Sequence, residues 1–391
     1  MASSVIHRQA RTVPAGRAPL RVAALMATTG ISGPGRQLVA LGRELVRRGV
    51  AFTVLLTARP GVESAFPAFV REQGLDCREM VDRGPWDPRL VEEVRAFIGE
   101  WRPDVVETHS YKPTSIMWLL KRRGVGCAWV AFHEGETDKG VRDWLYTRAD
   151  FAMLRAADRV VVMSELQRAK FPARARNVRI VHNAVPELDR AVDENAVPHV
   201  LRRSRGAGPA PLVGAIGRLS REKGVDVFID AVALLRDRGI AATGVIVGEG
   251  ALEVELRAQV ERLGLADRIV FTGNVGSMRE VYEALDLMVI PSRSEGLPSV
   301  LLEALPTGLP VVSTRVGAMP EIAAREPEAL SMVAPERADQ LADAIAAELS
   351  SPASPAAAAA RARVAATFSI ERRAEHMLRI FDEARQVRGP A

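Results

Sequence analysis

Glu295 and Glu303 stand eight positions apart in SerGluGlyLeuProSerValLeuLeuGluAla (294–304), and Arg218 and Lys223 precede them in GlyArgLeuSerArgGluLysGly (217–224). A guanidinium offers phosphate oxygens a planar fork of donors, and an ammonium adds a compact positive charge. Carboxylates accept from sugar and ribose hydroxyls. Two cations followed by two carboxylates therefore suit a pocket for a phosphorylated sugar, with the cations on the phosphates, one carboxylate on the ribose and another near the sugar. Lys223 is one of only five lysines against 48 arginines, a composition that would ordinarily have placed Arg there. Gly217 directly follows the apolar run LeuValGlyAlaIle (212–216), where a missing side chain lets a ligand approach the backbone. On one continuous helix, Glu295 and Glu303 would lie roughly 80° apart around the axis and about 12 Å along it, too far to meet at a point. Gly296 and Pro298 predict instead a loop that carries Glu295, then a helix with Pro at its first turn and Glu303 about one turn in. The N–H groups between them can face a phosphate. The plainer alternatives are a charged surface loop at 217–224 and a capped helix with two solvated glutamates.

Elements that would position these residues alternate along the chain. Short apolar or β-branched runs occur at 21–27, 52–56, 104–108, 129–132, 159–163 and 178–181, then at 212–216, 244–247, 268–271, 287–290 and 310–313. Helical patterns lie between them, such as 36–48 and 225–238, closed by Gly49 and Gly239. Strands alternating with helices imply parallel sheets covered on both faces. Residues 184–210 carry prolines and charges without a clear strand and separate two such sets. The expected organisation is a disordered polar tail over 1–18, an N-terminal Rossmann-like domain over 19–195, a C-terminal one over 196–366, and a final helical segment over 367–391.

With these motifs and this alternation, the stretch 212–323 resembles the donor half of the retaining glycosyltransferases of family four, which have the GT-B fold. The weaker resemblance spans about 20–385. It implies two doubly wound α/β domains facing across a cleft, with the last helix packing back on the N-terminal domain. It implies that Glu295 contacts the transferred sugar, that Glu303 hydrogen-bonds the ribose, and that Arg218 and Lys223 act on the leaving diphosphate. Gly217, Gly296, Leu297 and Pro298 would line the donor, as would Gly248 and Gly250 of the turn GlyGluGly, while PheThrGly (271–273) resembles the segment under the base. ThrArgValGlyAlaMetProGlu (314–321) resembles the family's last glycine-rich loop, with Ala318 where a second glycine is usual; Pro306 is a further departure.

In the N-terminal half, IleSerGlyProGly (31–35) resembles the family's first glycine-rich loop, and Gly33 and Gly35 would let the backbone approach the donor; Pro34 departs from the usual adjacent glycines. His133 follows the run TrpValAlaPhe and opens the polar loop HisGluGlyGluThrAspLysGly (133–140), at a strand's carboxyl end, where ligands of open α/β sheets bind. The resemblance assigns His133 to the sugar. His109, after the preceding strand, competes for that role, and a structural histidine is the alternative for either. Glu134 and Lys139 are further candidates for the acceptor.

The expected reaction is transfer of a sugar from a UDP- or GDP-linked donor to an acceptor hydroxyl with retention, in polysaccharide or glycolipid assembly. The acceptor is a saccharide, a glycolipid or a small molecule. No AspXaaAsp triplet is present to hold a metal-bound diphosphate, so no essential metal or further cofactor is expected. A non-catalytic nucleotide-sugar-binding protein and a GT-B sugar-nucleotide epimerase remain as alternatives. The absence of a glycine-lysine phosphate loop excludes a P-loop NTPase. Cys77 and Cys127 form no metal-spaced pair and suggest a reducing compartment. Neither a signal-peptide core nor an 18-residue apolar run occurs, which points to the cytoplasm. Residues 1–200 hold 30 Lys+Arg against 23 Asp+Glu. That surplus reads either as a basic tail with a solvated helix face or as a surface for peripheral contact with the inner face of a membrane. Nucleic acid is not an expected partner, since aromatics are only 5% and no recognised motif appears.

Overall fold

The structure is a computed structural model that describes residues 18–28, 30–84, 87–133, 141–185, 210–275, 278–351 and 354–387, with backbone alone over 141–147. All but the last residue of the expected tail, the expected boundary between 195 and 196, and the candidates Glu134 and Lys139 lie outside the described residues.

The apolar runs form two sheets. The first contains β1 (Arg21–Ala27), β2 (Ala51–Ala58), β3 (Asp76–Val81), β4 (Val105–His109), β5 (Ala128–His133), β6 (Arg159–Val162) and β7 (Val178–Ile180), in the order β3-β2-β1-β4-β5-β6-β7. The second contains β8 (Leu212–Ile216), β9 (Thr243–Val247), β10 (Ile269–Gly273), β11 (Leu287–Ile290), β12 (Val311–Thr314) and β13 (Ser331–Val333), in the order β10-β9-β8-β11-β12-β13. Every pairing in the second sheet is parallel. This is the expected doubly wound α/β architecture.

Burial explains why those runs are nearly continuous rather than alternating. Val213 and Ala215 of β8 pack into one apolar cluster and Leu212 into another. In β11, Leu287 and Val289 join the first cluster while Met288 and Ile290 join the second. Successive side chains point to opposite faces of a strand, so both faces of this sheet are covered and both sets must be apolar. Two strands escape the sequence pattern. Edge strand β3 is exposed at all positions but Cys77 and Met80 and lacks a β-branched run, and β13 is only three residues long.

Helix boundaries follow local chemistry. The helix Gly33–Arg47 is capped by Ser32, whose Oγ accepts from the Gly35 N–H at 3.3 Å, and Gly49 reverses the chain after it at φ 85°. It starts three residues before the expected Arg36, because Pro34 in the first turn has no N–H to satisfy. The helix Val225–Asp237 ends likewise before Gly239, at φ 72°.

The chain divides into two compact units, Met1–Phe132 with Asp150–Val160 and Ala374–Ala391, and His133–Ala149 with Val161–Arg373. Within the first, the helix Ile370–Gln386 contributes Glu375 to an ion pair with Arg48 at 3.4 Å and Glu383 to one with Arg159 at 2.9 Å. The helix Tyr111–Arg122 buries Ile116, Met117 and Leu120 and keeps Lys121 and Arg122 for its last turn, where they complement the dipole. Among the described residues, no helix is long and apolar enough to cross a membrane.

Candidate functional site

In the second sheet, β8 and β11 are neighbours, and the strand order runs away from them in opposite directions. A doubly wound sheet opens a crevice at such a switch point, outside the carboxyl ends of the two strands. Gly217 directly follows β8, and Ser292 to Glu295 follow β11 closely. Topology alone therefore brings together two motifs far apart in sequence.

Contact between them is direct. The Lys223 ammonium donates to Glu295 Oε1 at 2.7 Å, and the Ser292 hydroxyl donates to the same oxygen at 2.7 Å. Lys223 keeps 24% of its side chain exposed and Glu295 9%, so solvent reaches the ammonium while the carboxylate is largely covered. Ser292 is buried, and its carbonyl accepts from the Thr314 hydroxyl at 2.6 Å. This ties the Glu295 loop to the end of β12.

Lys223 ends a short 3₁₀ turn, Arg221–Lys223, and Gly224 follows at φ 65°. A Cβ on Gly224 would lie 2.1 Å from the Pro291 carbonyl oxygen. Gly224→Ala is therefore expected to combine left-handed strain with a backbone clash, lowering stability by about 2–4 kcal/mol. Chemical denaturation would measure it, and an unchanged midpoint would contradict this packing.

The remaining expected donor residues have different surroundings. Arg218 is 64% exposed and pairs with Glu222 at 2.8 Å. Burial pushes the Glu222 carboxyl up, but hydrogen bonds from Ser220, its own backbone and Arg218 outweigh that and leave it below the ordinary glutamate value. Glu303 lies in the helix Ser299–Ala304, is only 5% exposed, and accepts from the Tyr282 hydroxyl at 2.7 Å. Thus Lys223 and Glu295 touch, whereas Arg218 is turned to Glu222 and Glu303 to Tyr282.

Gly248 and Gly250 have a packing reason of their own. Cβ atoms there would fall 2.1 Å from the Gly217 carbonyl oxygen and 2.3 Å from that of Leu219. Their absence lets 217–219 bond against the 247–249 backbone, with the Gly217 N–H on Val247 and the Leu219 N–H on Glu249, both at 2.9 Å. Gly296 accepts through its carbonyl from the Ala318 N–H at 2.8 Å. Leu297 is buried, and its carbonyl accepts from the Asn183 amide at 3.0 Å. Pro298 caps the Glu303 helix with extended backbone.

His133 is the last residue of β5, is buried, and meets the Phe171 ring edge-on at 5.9 Å. His109 ends β4, stacks on Phe132 at 4.3 Å and places Nε2 3.4 Å from Glu107 Oε1. Gly33 and Gly35 form the first helical turn rather than a preceding loop. A Cβ on Gly35 would lie 2.7 Å from the Phe66 ring, so a close helix contact already requires glycine there.

Sequence reading missed Tyr282, Ser292, Arg293, Asp226 and Glu336. Ser292 lies three residues before Glu295, a spacing that a loop can close. The others are joined only by the fold. Among the described residues, no group of three His, Cys, Asp or Glu is arranged to hold a metal ion.

Residues 210–351 match the model of the glycosyl transferases group 1, and residues 32–185 match that of a glycosyl transferase 4-like domain. The 2-deoxystreptamine N-acetyl-D-glucosaminyltransferase of Streptomyces fradiae is 32% identical over 331 residues, covering 74% of this chain and 76% of that protein. The lipopolysaccharide core biosynthesis mannosyltransferase LpsB of Rhizobium meliloti is 37% identical over 190 residues, 46% of this chain; the match spans about half of that relative, 54% of its length. Anabaena Alr3699/HepE in complex with UDP and glucose superposes with a TM-score of 0.77 at 19% identity, over 93% of this chain and 99% of that one.

Proposed function

The chain belongs to the group 1 glycosyltransferases of family four, with the GT-B fold, and we propose that it moves a sugar from a nucleoside-diphosphate donor to an acceptor hydroxyl with retention of configuration. The observation that carries this reading is the Lys223–Glu295 contact at 2.7 Å, at the switch point between β8 and β11. A cation and a carboxylate held side by side there suit the two ends of one ligand, its diphosphate and its sugar.

The donor diphosphate lies against Lys223, and Arg218 swings from Glu222 to reach it; an exposed side chain can move at little cost. As the bond from the anomeric carbon to the diphosphate oxygen breaks, negative charge grows on the leaving group. Lys223 and Arg218 stabilise that charge as it develops, which is the condition for lowering the barrier. Glu295 accepts from hydroxyls of the transferred sugar, and Glu303, held by Tyr282, accepts from the ribose. The acceptor oxygen attacks the anomeric carbon from the face the diphosphate leaves, and its proton passes to the departing phosphate oxygen. His133 holds the sugar from the other motif set. With two side-chain cations for the diphosphate, the reaction proceeds without an essential metal.

UDP-linked sugars are the first donors to test, because HepE has been solved with UDP-glucose; GDP-linked sugars come second. At a hundredfold excess over its dissociation constant, a donor stabilises the protein by about 2.7 kcal/mol, which raises the melting temperature of a 391-residue chain by roughly 3 °C. A screen of UDP- and GDP-sugars should find such a shift, accompanied by diphosphate release once an acceptor is supplied. No shift with any nucleotide sugar would refute the reading, and saturable binding without release would favour a non-catalytic binder.

A further inference from the structure

Arg293 stands two residues before Glu295, and every guanidinium N–H has an acceptor. Nη1 donates to the Arg221 carbonyl at 2.8 Å and to Asp226 Oδ1 at 2.7 Å. Nη2 donates to Asp226 Oδ2 at 2.7 Å and to Glu336 Oε2 at 2.9 Å, and Nε donates to Glu336 Oε1. Five donors thus meet five acceptors in two bidentate pairs and one carbonyl contact, an arrangement that lysine, with three donors on a point charge, cannot reproduce. The Arg293 backbone N–H adds a bond to the Glu222 carbonyl at 2.8 Å. One residue therefore grips 221, 222 and 226, on both sides of Lys223, while its own chain carries Glu295.

We propose that Arg293 is a positioning residue for sugar transfer, a brace that holds the loop of Lys223 and the loop of Glu295 at the separation the donor requires. This rests on the donor-site reading above. Three features argue against a decorative surface cluster. The Arg293 side chain is only 19% exposed, although those of its partners Asp226 and Glu336 are 42% and 58% exposed. Glu336 holds a left-handed backbone, φ 61°, unusual for a residue with a Cβ and sustained only where the surroundings impose it. The bonds from Arg293 also hold the Glu336 carboxyl below its ordinary value. In Asp226 burial pushes upward, but Arg293 outweighs it and the carboxyl again lies low. Both partners therefore stay ionised through neutral pH, and the brace stays closed.

The test uses the full chain and three variants, Arg293→Met, Asp226→Asn and Glu336→Gly. Arg293→Met should cut kcat/KM by about 10- to 100-fold, the scale expected when reacting groups shift by an ångström or so. Lys223, Glu295 and Ser292 all remain present in it. Glu336→Gly removes one carboxylate but relieves the left-handed residue, so its melting temperature should stay near wild type while kcat/KM falls about three- to tenfold. Asp226→Asn should fall between them. A purely structural role predicts the reverse, lower melting temperatures with kcat/KM of the folded protein unchanged, and that result would overturn the proposal. Amide hydrogen exchange, measured without ligand, follows the brace independently of activity. Exchange should quicken in both 217–224 and 292–296 of Arg293→Met; unaltered protection in either loop would also overturn the proposal. Failure of the wild-type protein to bind any nucleotide sugar would instead remove the donor reading, while exchange would still decide whether the brace exists.

Discussion

Lys223→Ala is expected to lower kcat/KM by about 10²- to 10³-fold, the loss typical when one preorganised donor to a developing oxyanion is removed. Most of the fall should appear in kcat, because the charge on the leaving diphosphate grows towards the transition state and is smaller in the bound donor. The substitution also strips Glu295 of its ion pair and leaves it the Ser292 hydroxyl, 2.7 Å away. Exposed pairs contribute about 0–1 kcal/mol and breaking buried ones costs about 3–5 kcal/mol, so this largely covered pair should cost about 1–3 kcal/mol of stability. Steady-state kinetics beside a denaturation curve separate the two effects. Turnover within threefold of wild type in a folded Lys223→Ala protein would show that the ammonium has no part in the reaction.

The second large effect is expected at Glu303. Glu303→Ala removes the acceptor that the Tyr282 hydroxyl now bonds at 2.7 Å, within a region where both residues are nearly inaccessible. Leaving that hydroxyl without its carboxylate should cost about 1–3 kcal/mol of stability. A lost hydrogen bond from ribose to a charged group should raise the donor KM by about 10- to 100-fold, with kcat changed much less. A donor lacking the ribose hydroxyls distinguishes this from general damage. Wild type should discriminate against it about tenfold or more, whereas Glu303→Ala should treat both donors nearly alike. Equal discrimination by the two proteins would mean that Glu303 does not read the ribose.

Much of this site was legible from residue types. Gly296 and Pro298 announced a loop followed by a helix, and the chain follows that plan: Glu295 lies in the loop after β11 and Glu303 in the helix Ser299–Ala304. The apolar runs announced the strands because a strand buried on both faces has no polar side to interrupt it. Where that condition fails the pattern falls silent, as in edge strand β3, where only Cys77 and Met80 are buried. The glycines show what a sequence leaves open. Gly248 and Gly250 entered only through the resemblance, as residues lining the donor, and the atoms a Cβ would strike there are the carbonyl oxygens of Gly217 and Leu219. A sequence shows that a side chain is missing without showing what occupies the space.

By itself, then, the order of residues determined the strand-helix alternation, the doubly wound class and the two charged motifs, because each depends on periodicity or on chemistry within a few positions. Only the tertiary structure decided that Lys223 meets Glu295, that Tyr282 holds Glu303, and that Asp226 and Glu336 enclose Arg293. Those contacts arise because β8 and β11 become neighbours although β9 and β10 lie between them in the chain. Strand order is settled by packing the whole sheet between its two apolar layers, a property that no local stretch of residues encodes.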